Sequence, residues 1–153
     1  ETFLPAVQKI TYLNTILEKL YNITTTYTDS DMGLLYAHIK RKINHRSLLL
    51  FYTNFEHISA LRRQLPFLTA IAKKHVLVVI FFENTELETL IATDAEDLQT
   101  VYHKTIAEKF SLEKRLMQKE LQQYGIQTIL TKPEHLTVNT INKYLEIKAR
   151  GIL

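Results

Sequence analysis

The chain has 153 residues, a formal net charge of +3 and no cysteine. A chain of this length buries roughly 70% of the surface that its unfolded form exposes, so one hydrophobic core can stabilise it. The absence of cysteine excludes disulfides, thiolate metal sites and cysteine nucleophiles. The longest apolar run, in HVLVVIFFE, is about half as long as a membrane crossing requires, so we expect a soluble polypeptide.

Glycine is rare, and its distribution excludes two classes of nucleotide-binding enzyme. The three glycines, Gly33, Gly125 and Gly151, are isolated from one another. Phosphate-cradling loops and the dinucleotide fingerprint both need several clustered glycines. The basic residues fall in scattered pairs, which is typical of solvated helix faces. Because the chain starts at Glu1 with ETFLPAV, we expect a fragment of a longer protein.

The sequence of the first half of the chain predicts two helices, a strand and a further helical segment. Apolar residues at spacings of three and four predict a helix over residues 8–21. Asp29 or Ser30 can cap a second helix that ends at Ile43. The run SLLLFY predicts a strand over Ser47 to Tyr52. A helical pattern resumes after Asn54, with Pro66 in the first turn of a second piece that ends near Lys74.

The second half alternates strands with helices. Two apolar runs predict strands over Val76–Phe82 and Ile126–Leu130. A short helix falls in NTELETLIAT, and a long one reaches Tyr124, with Gly125 as a left-handed C-cap. Thr137 is the predicted cap of a last helix, whose expected core face consists of Ile141, Tyr144, Leu145 and Ala149.

This order of elements predicts an α/β fold, a three-layer sandwich around a parallel sheet of about three strands in a single domain over residues 1–153. The first two strands are continuous apolar runs, as expected when helices cover both faces of a parallel sheet. Three strands are a thin sheet, and the strand at Ser47–Tyr52 would present an apolar edge. A missing N-terminal half, an antiparallel partner from residues 2–7, or a second copy of the chain could each cover that edge.

The carboxyl ends of the predicted strands mark where a ligand would lie. In open α/β sheets ligands gather at this edge, which here carries Thr53, Asn54, Glu83, Asn84 and Thr131. A structural role would also explain the first two of these, because Thr53 and Glu56 have capping-box spacing and Asn54 is a good N-cap. Both interpretations stay open, and capping alone would account for the residues.

Four segments carry a resemblance to a known family. RSLLLFYTNFE, KKHVLVVIFFEN, YGIQTILTKPEHLT and INKYLEIKARGIL resemble the C-terminal half of the bacterial domain of unknown function 58 family. Proteins of that family are similar to von Willebrand factor A domains, often follow two N-terminal membrane helices, and are encoded beside MoxR-type AAA+ ATPases. The resemblance implies a six-stranded sheet, of which this chain holds the last three strands.

The resemblance also implies where a cation site would have been. Domains of the A type hold a divalent cation with an Asp-x-Ser-x-Ser motif after the first strand, and this sequence contains no such motif. The remnant of such a site would consist of Thr11, Thr53 and Asn54, with an amide where an aspartate is usual. Because Mg²⁺ favours carboxylates, we expect no metal site in this chain and Mg²⁺ at most in the intact parent protein.

Three functional hypotheses follow. The leading one is a non-enzymatic protein-interaction module without a cofactor, from a parent at the cytoplasmic face of the bacterial inner membrane that works with a MoxR-type ATPase. The second is a metal-dependent enzyme of unknown reaction that uses the strand-end carboxylates Glu83, Glu86 and Glu88. The third is a weak nucleic-acid binder, although the leading hypothesis includes no nucleic-acid partner. A homodimer through the Ser47–Tyr52 edge is a separate expectation about assembly.

Overall fold

The computed structural model describes residues 4–5, 12–24, 31–92 and 97–152, without the side chains of Glu86, Glu88 and Thr89. The chain forms two compact units, Glu1–Ser30 and Asp31–Leu153.

The first unit contains the helix α1 (Tyr12–Tyr21). This helix confirms the later part of the predicted one, whose residues 8–11 lie outside the described part of the chain. Asn22 donates from its side-chain amide to the carbonyl of Glu18 at 2.9 Å, and its backbone N–H donates to the same carbonyl at 3.2 Å. The apolar stripe of α1 is exposed at Leu13, Ile16, Leu17 and Leu20.

The second unit is a parallel sheet with helices on both faces. Its helices are α2 (Met32–Lys42), α3 (Ile58–Ala72), α4 (Thr85–Ala92), α5 (Leu98–Gln123) and α6 (Leu136–Ala149), and its strands are β1 (Leu48–Tyr52), β2 (Val76–Phe82) and β3 (Gln127–Thr131). The strands lie in the order β1-β2-β3, and both neighbouring pairs are parallel. The predicted fold class and the three predicted strands are confirmed.

Alternate residues of β2 pack into two separate hydrophobic cores. Leu77, Val79 and Phe81 lie with residues of α3 and α5 in the larger core. Val76, Val78 and Ile80 lie on the other face, where they pack with Ile129 of β3 and Ile147 of α6. Residues 76–81 are all buried, which explains why the strand is a continuous apolar run.

The starts of two helices differ from the prediction. Asp31 caps α2, since its carboxylate accepts the N–H of Leu34 at 2.9 Å, whereas Asp29 and Ser30 lie outside the described residues. Helix α3 begins only at Ile58, after His57, which makes no side-chain capping bond. The prediction that Thr53 or Asn54 caps this helix is therefore wrong.

Pro66 does not divide α3, although the sequence pattern predicted a break there. The helix continues from Ile58 to Ala72 with Pro66 inside it. One buried face crosses the proline, since Leu61, Leu65, Leu68 and Ile71 are each at most 8% exposed. Burying four such side chains contributes about 1.5–3 kcal/mol each. That gain outweighs the roughly 3 kcal/mol that an interior proline costs.

Helix α6 buries a different face from the predicted one. Thr137 does not cap the helix, which begins at Leu136 after His135 without a side-chain cap. Ile147 is buried, but Ile141, Tyr144 and Leu145 of the expected core face are 52%, 40% and 54% exposed, and Ala149 is also exposed. The helix carries two apolar stripes, and periodicity alone does not tell which of them meets the sheet.

The C-terminal end of α5 follows the prediction. Gly125 has φ +73° after the end of α5, as a left-handed C-cap requires.

Within the described residues no strand pairs with the outer edge of β1. Of residues 2–7, one suggested cover for that edge, only Leu4 and Pro5 are described, and they form no strand. No helix in the described ranges has both the length and the apolar character of a membrane span.

Candidate functional site

The residues predicted at the strand ends do lie along one edge of the sheet. Two backbone hydrogen bonds join the strands there: Thr53 donates its N–H to the carbonyl of Ile80 at 3.1 Å, and Glu83 donates to the carbonyl of Thr131 at 3.0 Å. We call Thr53, Asn54, Glu83, Asn84 and Thr131 the carboxyl-edge rim. Thr11, the remaining residue of the suggested cation remnant, lies outside the described residues.

A cavity of about 700 Å³ opens beside this rim. It lies between the loops after β1 and β2 and the middle of α5. The lining comprises Asn54, Glu56, His57, Phe82, Glu83, Asn84, Thr85, Leu87, Ile91, Phe110, Ser111, Lys114, Arg115 and Leu130. We call this cavity the rim pocket. Its volume falls in the range of about 300–1,000 Å³ that is usual for ligand sites.

Lys114 of α5 is the main polar link between the pocket and the rim. Its ammonium donates to the side-chain oxygen of Asn54 and, at 2.6 Å, to the backbone carbonyl of Phe55. Burial lowers the pKa of Lys114 because it disfavours the ammonium, while the carboxylates of Glu56 and Glu113 act in the opposite direction. The lysine therefore fastens the loop after β1 to α5.

His57 and Glu113 form a second link between the same two elements. Nδ1 of His57 lies 3.2 Å from a carboxylate oxygen of Glu113. The His57 ring also stacks on Phe110, with ring centroids 5.8 Å apart and an angle of 26° between the planes. His57 is more than half exposed and Glu113 is mostly buried, and of the two only His57 lines the rim pocket.

Two other rim residues, Asn84 and Thr131, make side-chain hydrogen bonds to helices. Asn84 accepts the N–H of Leu87 at 3.4 Å with its side-chain oxygen, at the start of α4. Thr131 is buried and its hydroxyl accepts from the side-chain amide of Asn139 at 2.8 Å, which ties α6 to the end of β3. Asn54, Glu83 and Asn84 line the rim pocket, whereas Thr53 and Thr131 do not.

The hydrogen bond from Lys114 to Asn54 disfavours a metal cation at this edge. The side-chain oxygen of Asn54, the suggested remnant of a cation ligand, accepts a hydrogen bond from an ammonium group. A cation would meet that positive charge, and it would have to displace the lysine to reach the oxygen. In the described part of the chain, no three His, Asp or Glu side chains are grouped so that they could hold a metal ion.

The sequence predicted the residues of the carboxyl-edge rim, but it did not predict the wall of the rim pocket that α5 supplies. Phe110, Ser111, Lys114 and Arg115 come from the middle of α5, roughly 30 residues after the end of β2 and roughly 20 residues before the end of β3. The spacing of Phe110 and Lys114 places both on one side of that helix. Nothing in the sequence tells that this side faces the loop after β1, so only the packing of α5 reveals these residues.

Comparison of the chain with protein-family models gives no match, and comparisons with curated proteins and with solved structures give none either. The resemblance to the domain of unknown function 58 family therefore stays a prediction from the sequence.

Proposed function

We propose that this chain is a non-catalytic protein-interaction module and that its docking site is the carboxyl-edge rim with the rim pocket. The observation that carries the proposal is the pocket itself, an opening of about 700 Å³ at the edge where open α/β sheets bind their ligands.

The lining of the pocket suits a protein partner. Its apolar floor includes Phe82, Leu87 and Leu130, whereas Glu56 and Arg115 are exposed at its margin. Energetically important residues of protein interfaces lie in desolvated pockets surrounded by a polar border. A partner side chain of aromatic or aliphatic type would fill the floor, and polar groups around it would meet the charged margin.

Two further parts of the proposal rest on the sequence resemblance alone. We propose that the parent protein has a von Willebrand factor A-like domain at the cytoplasmic face of a bacterial inner membrane, and that its partner is a MoxR-type AAA+ ATPase. The parallel sheet with helices on both faces is compatible with this assignment.

Binding to the purified MoxR-type ATPase, measured by isothermal titration calorimetry, tests the proposal. Leu87→Lys puts a charge on the pocket floor, and Arg115→Glu reverses a charge at the margin. We expect each change to weaken binding about tenfold or more, the usual effect of damaging an interface anchor. Arg63→Glu is the matched control, since Arg63 is an exposed arginine of α3 outside the pocket. Equal binding by all variants would exclude the rim pocket, and the absence of any binding would exclude the ATPase as partner.

A cation titration separates docking from metal-dependent catalysis. We expect no binding of Mg²⁺ or Mn²⁺ by the unaltered chain in the micromolar range. Asn54→Asp alone should also fail, because the new carboxylate would pair with Lys114. Micromolar affinity in the unaltered chain would contradict the interaction-module proposal and favour the enzyme hypothesis instead.

A further inference from the structure

The amino edge of the sheet, where the three strands begin, is where several helices of the second unit end. Helices α2, α3 and α5 end shortly before β1, β2 and β3, respectively. Two hydrogen bonds show that these segments are neighbours. Val76 donates its N–H to the carbonyl of Ser47 at 2.9 Å, which joins the starts of β1 and β2. Nε of Arg46 donates to the carbonyl of Ile152 at 3.2 Å, which brings the segment after α6 to the same edge.

Basic pairs that are scattered along the sequence meet at this edge. Residues 38–47 and 72–75 contain no Asp or Glu. We call eight exposed residues of these segments and of the end of α6 the basic edge: Lys40, Arg41, Lys42, Arg46, Lys73, Lys74, Lys148 and Arg150. The loops at the opposite edge instead carry Glu56, Glu83 and Glu134. The charge of this unit is therefore unevenly distributed between the two ends of its strands.

Several cations of the basic edge have no carboxylate partner. The helix dipole favours cations at helix C-termini, which accounts for part of the arrangement. No ion pair with any described residue is formed by Lys40, Arg41, Lys73 or Lys74. Grouped like charges repel one another in the free protein, and they attract a ligand that carries many negative charges.

A cleft of about 350 Å³ adjoins the basic edge and contains an aromatic side chain. Tyr124 at the end of α5 and Thr69 of α3 line it together with Lys73, and Tyr124 is 50% exposed. Arg62 also lines the cleft, but its Nε donates to both carboxylate oxygens of Glu120, at 2.9 and 3.2 Å, so its charge is already paired. The cleft thus offers an aromatic ring, a hydroxyl group and the ammonium of Lys73.

The aromatic side chain distinguishes between the polyanions that could bind. Amphipathic surfaces that bind membranes carry exposed apolar side chains beside their cations. Among the described residues of 40–47, 73–75 and 148–152, no large apolar side chain is exposed. Single-stranded nucleic acids bind instead to basic surfaces on which aromatic side chains stack with the bases. Tyr124 beside Lys73 provides this combination.

We infer that the basic edge binds a single-stranded nucleic acid, with its phosphates along the exposed cations and one base stacked on Tyr124. Single-stranded DNA and RNA share this chemistry, because both have a phosphate backbone and unpaired bases. The basic edge lies at the opposite end of the strands from the rim pocket, and the inference does not rest on the proposed function.

Fluorescence anisotropy with fluorescein-labelled single strands of 12 thymidines or 12 uridines provides the test. We expect at least one of the two strands to bind with a Kd of about 10⁻⁶ M at 50 mM salt, and tighter binding of the uridine strand would assign RNA. Each phosphate contact on a single strand contributes about −0.7 to the slope of log affinity against log salt concentration. Four contacts, from the unpaired cations named above, predict a slope of about −3.

Paired substitutions separate local contacts from total charge. Lys73→Gln combined with Lys74→Gln should make the salt slope less steep by about 1.4, because two phosphate contacts are lost. Lys104→Gln combined with Lys109→Gln is the matched control. It removes the same charge from the first half of α5, about 20 Å or more along the helix from Tyr124, and the slope should stay the same.

Two variants of Tyr124 test the stacked base. Tyr124→Ala should weaken binding of the preferred strand about tenfold, whereas Tyr124→Phe, which keeps the ring, should bind within about threefold of the unaltered chain. A strand of 12 abasic nucleotides keeps the phosphates and removes the bases. It should bind the unaltered chain and Tyr124→Ala equally, which separates stacking from structural damage. Circular dichroism checks that every variant folds.

Four results would each overturn the inference. They are failure of both strands to bind at 50 mM salt, the same change of slope in the two pairs of lysine variants, full affinity of Tyr124→Ala for the preferred strand, and weaker binding of the abasic strand by Tyr124→Ala. Vesicles of phosphatidylglycerol and phosphatidylcholine provide the remaining arm. Sedimentation of the protein with these vesicles in an excess of the thymidine and uridine strands would assign the basic edge to a membrane and would also overturn the inference.

Discussion

Lys114 offers the sharpest test of how the rim is held together. Lys114→Met keeps most of the aliphatic length of the side chain and removes the ammonium that bonds Asn54 and Phe55. Hydrogen bonds to charged groups contribute about 1.5–3 kcal/mol each. The loss is partly offset, because Asn54 is exposed and regains water, and because the half-buried ammonium no longer has to be desolvated. The carbonyl of Phe55 is partly buried and loses its donor.

We expect a net decrease of about 1–2 kcal/mol in the free energy of unfolding. Urea denaturation followed by circular dichroism measures this difference, and the melting temperature should fall by about 2–8 °C. Arg115→Met is the matched control, since Arg115 is the exposed neighbour on α5, and its effect should stay within about 0.5 kcal/mol. If Lys114→Met is as stable as the unaltered chain, the two hydrogen bonds do not outweigh the burial of the charge.

The pH dependence gives an independent check on the same residue. Burial lowers the pKa of Lys114, so the folded state binds this proton less tightly than the unfolded state. The stability of the unaltered chain relative to Lys114→Met should therefore rise with pH, between the lowered folded-state pKa and the unfolded value of about 10.4. Other titrating groups are shared by both proteins and cancel in the difference. A relative stability that falls over this window would contradict the burial of the ammonium.

Three further predictions concern the scaffold. Phe81→Ala removes a fully buried ring that contacts Phe55, and it should lower the free energy of unfolding by about 3–5 kcal/mol in urea denaturation; a loss below about 1.5 kcal/mol would contradict the described core. Gly125→Ala should cost about 1 kcal/mol in the same assay, because φ is +73° and an added Cβ meets no atom within 4 Å, so only backbone strain remains. Glu146 has a lowered pKa, chiefly through its hydrogen bond from Lys143 and also through Arg150. Its stabilising contribution is therefore present above the unfolded pKa of about 4.3 and is lost as the pH falls through the lowered value. Thermal melts at stepwise lower pH should show the unaltered chain losing stability relative to Glu146→Gln, and parallel curves would exclude the ion pair.

The central strand could be predicted from the sequence because burial on both faces requires a continuous run of apolar residues. Val76–Phe82 is apolar at every position, and its first six residues are buried, as the continuous apolar run predicts for a strand covered on both faces. Leu48–Tyr52 and Gln127–Thr131 were placed within one residue of the observed bounds.

Helix ends and helix faces were harder because tertiary contacts decide them. Asn54 has the chemistry of an N-cap, yet its side chain is taken by Lys114, which lies 60 residues further along the chain. Ile141 and Ile147 of α6 are both apolar residues on a helix, and only the position of the sheet decides that Ile147 is the buried one. The pocket wall on α5 was missed for the same reason.

The tether between Lys114 and Asn54 has a consequence for control of the rim. A bound ion responds to chelators and to changes in its concentration in the cell, but a lysine side chain is a permanent part of its helix. An acidic group of a partner that reached this position would meet the ammonium of Lys114. Docking at the rim would then be insensitive to EDTA and would have to be regulated through the partner or through access to the surface.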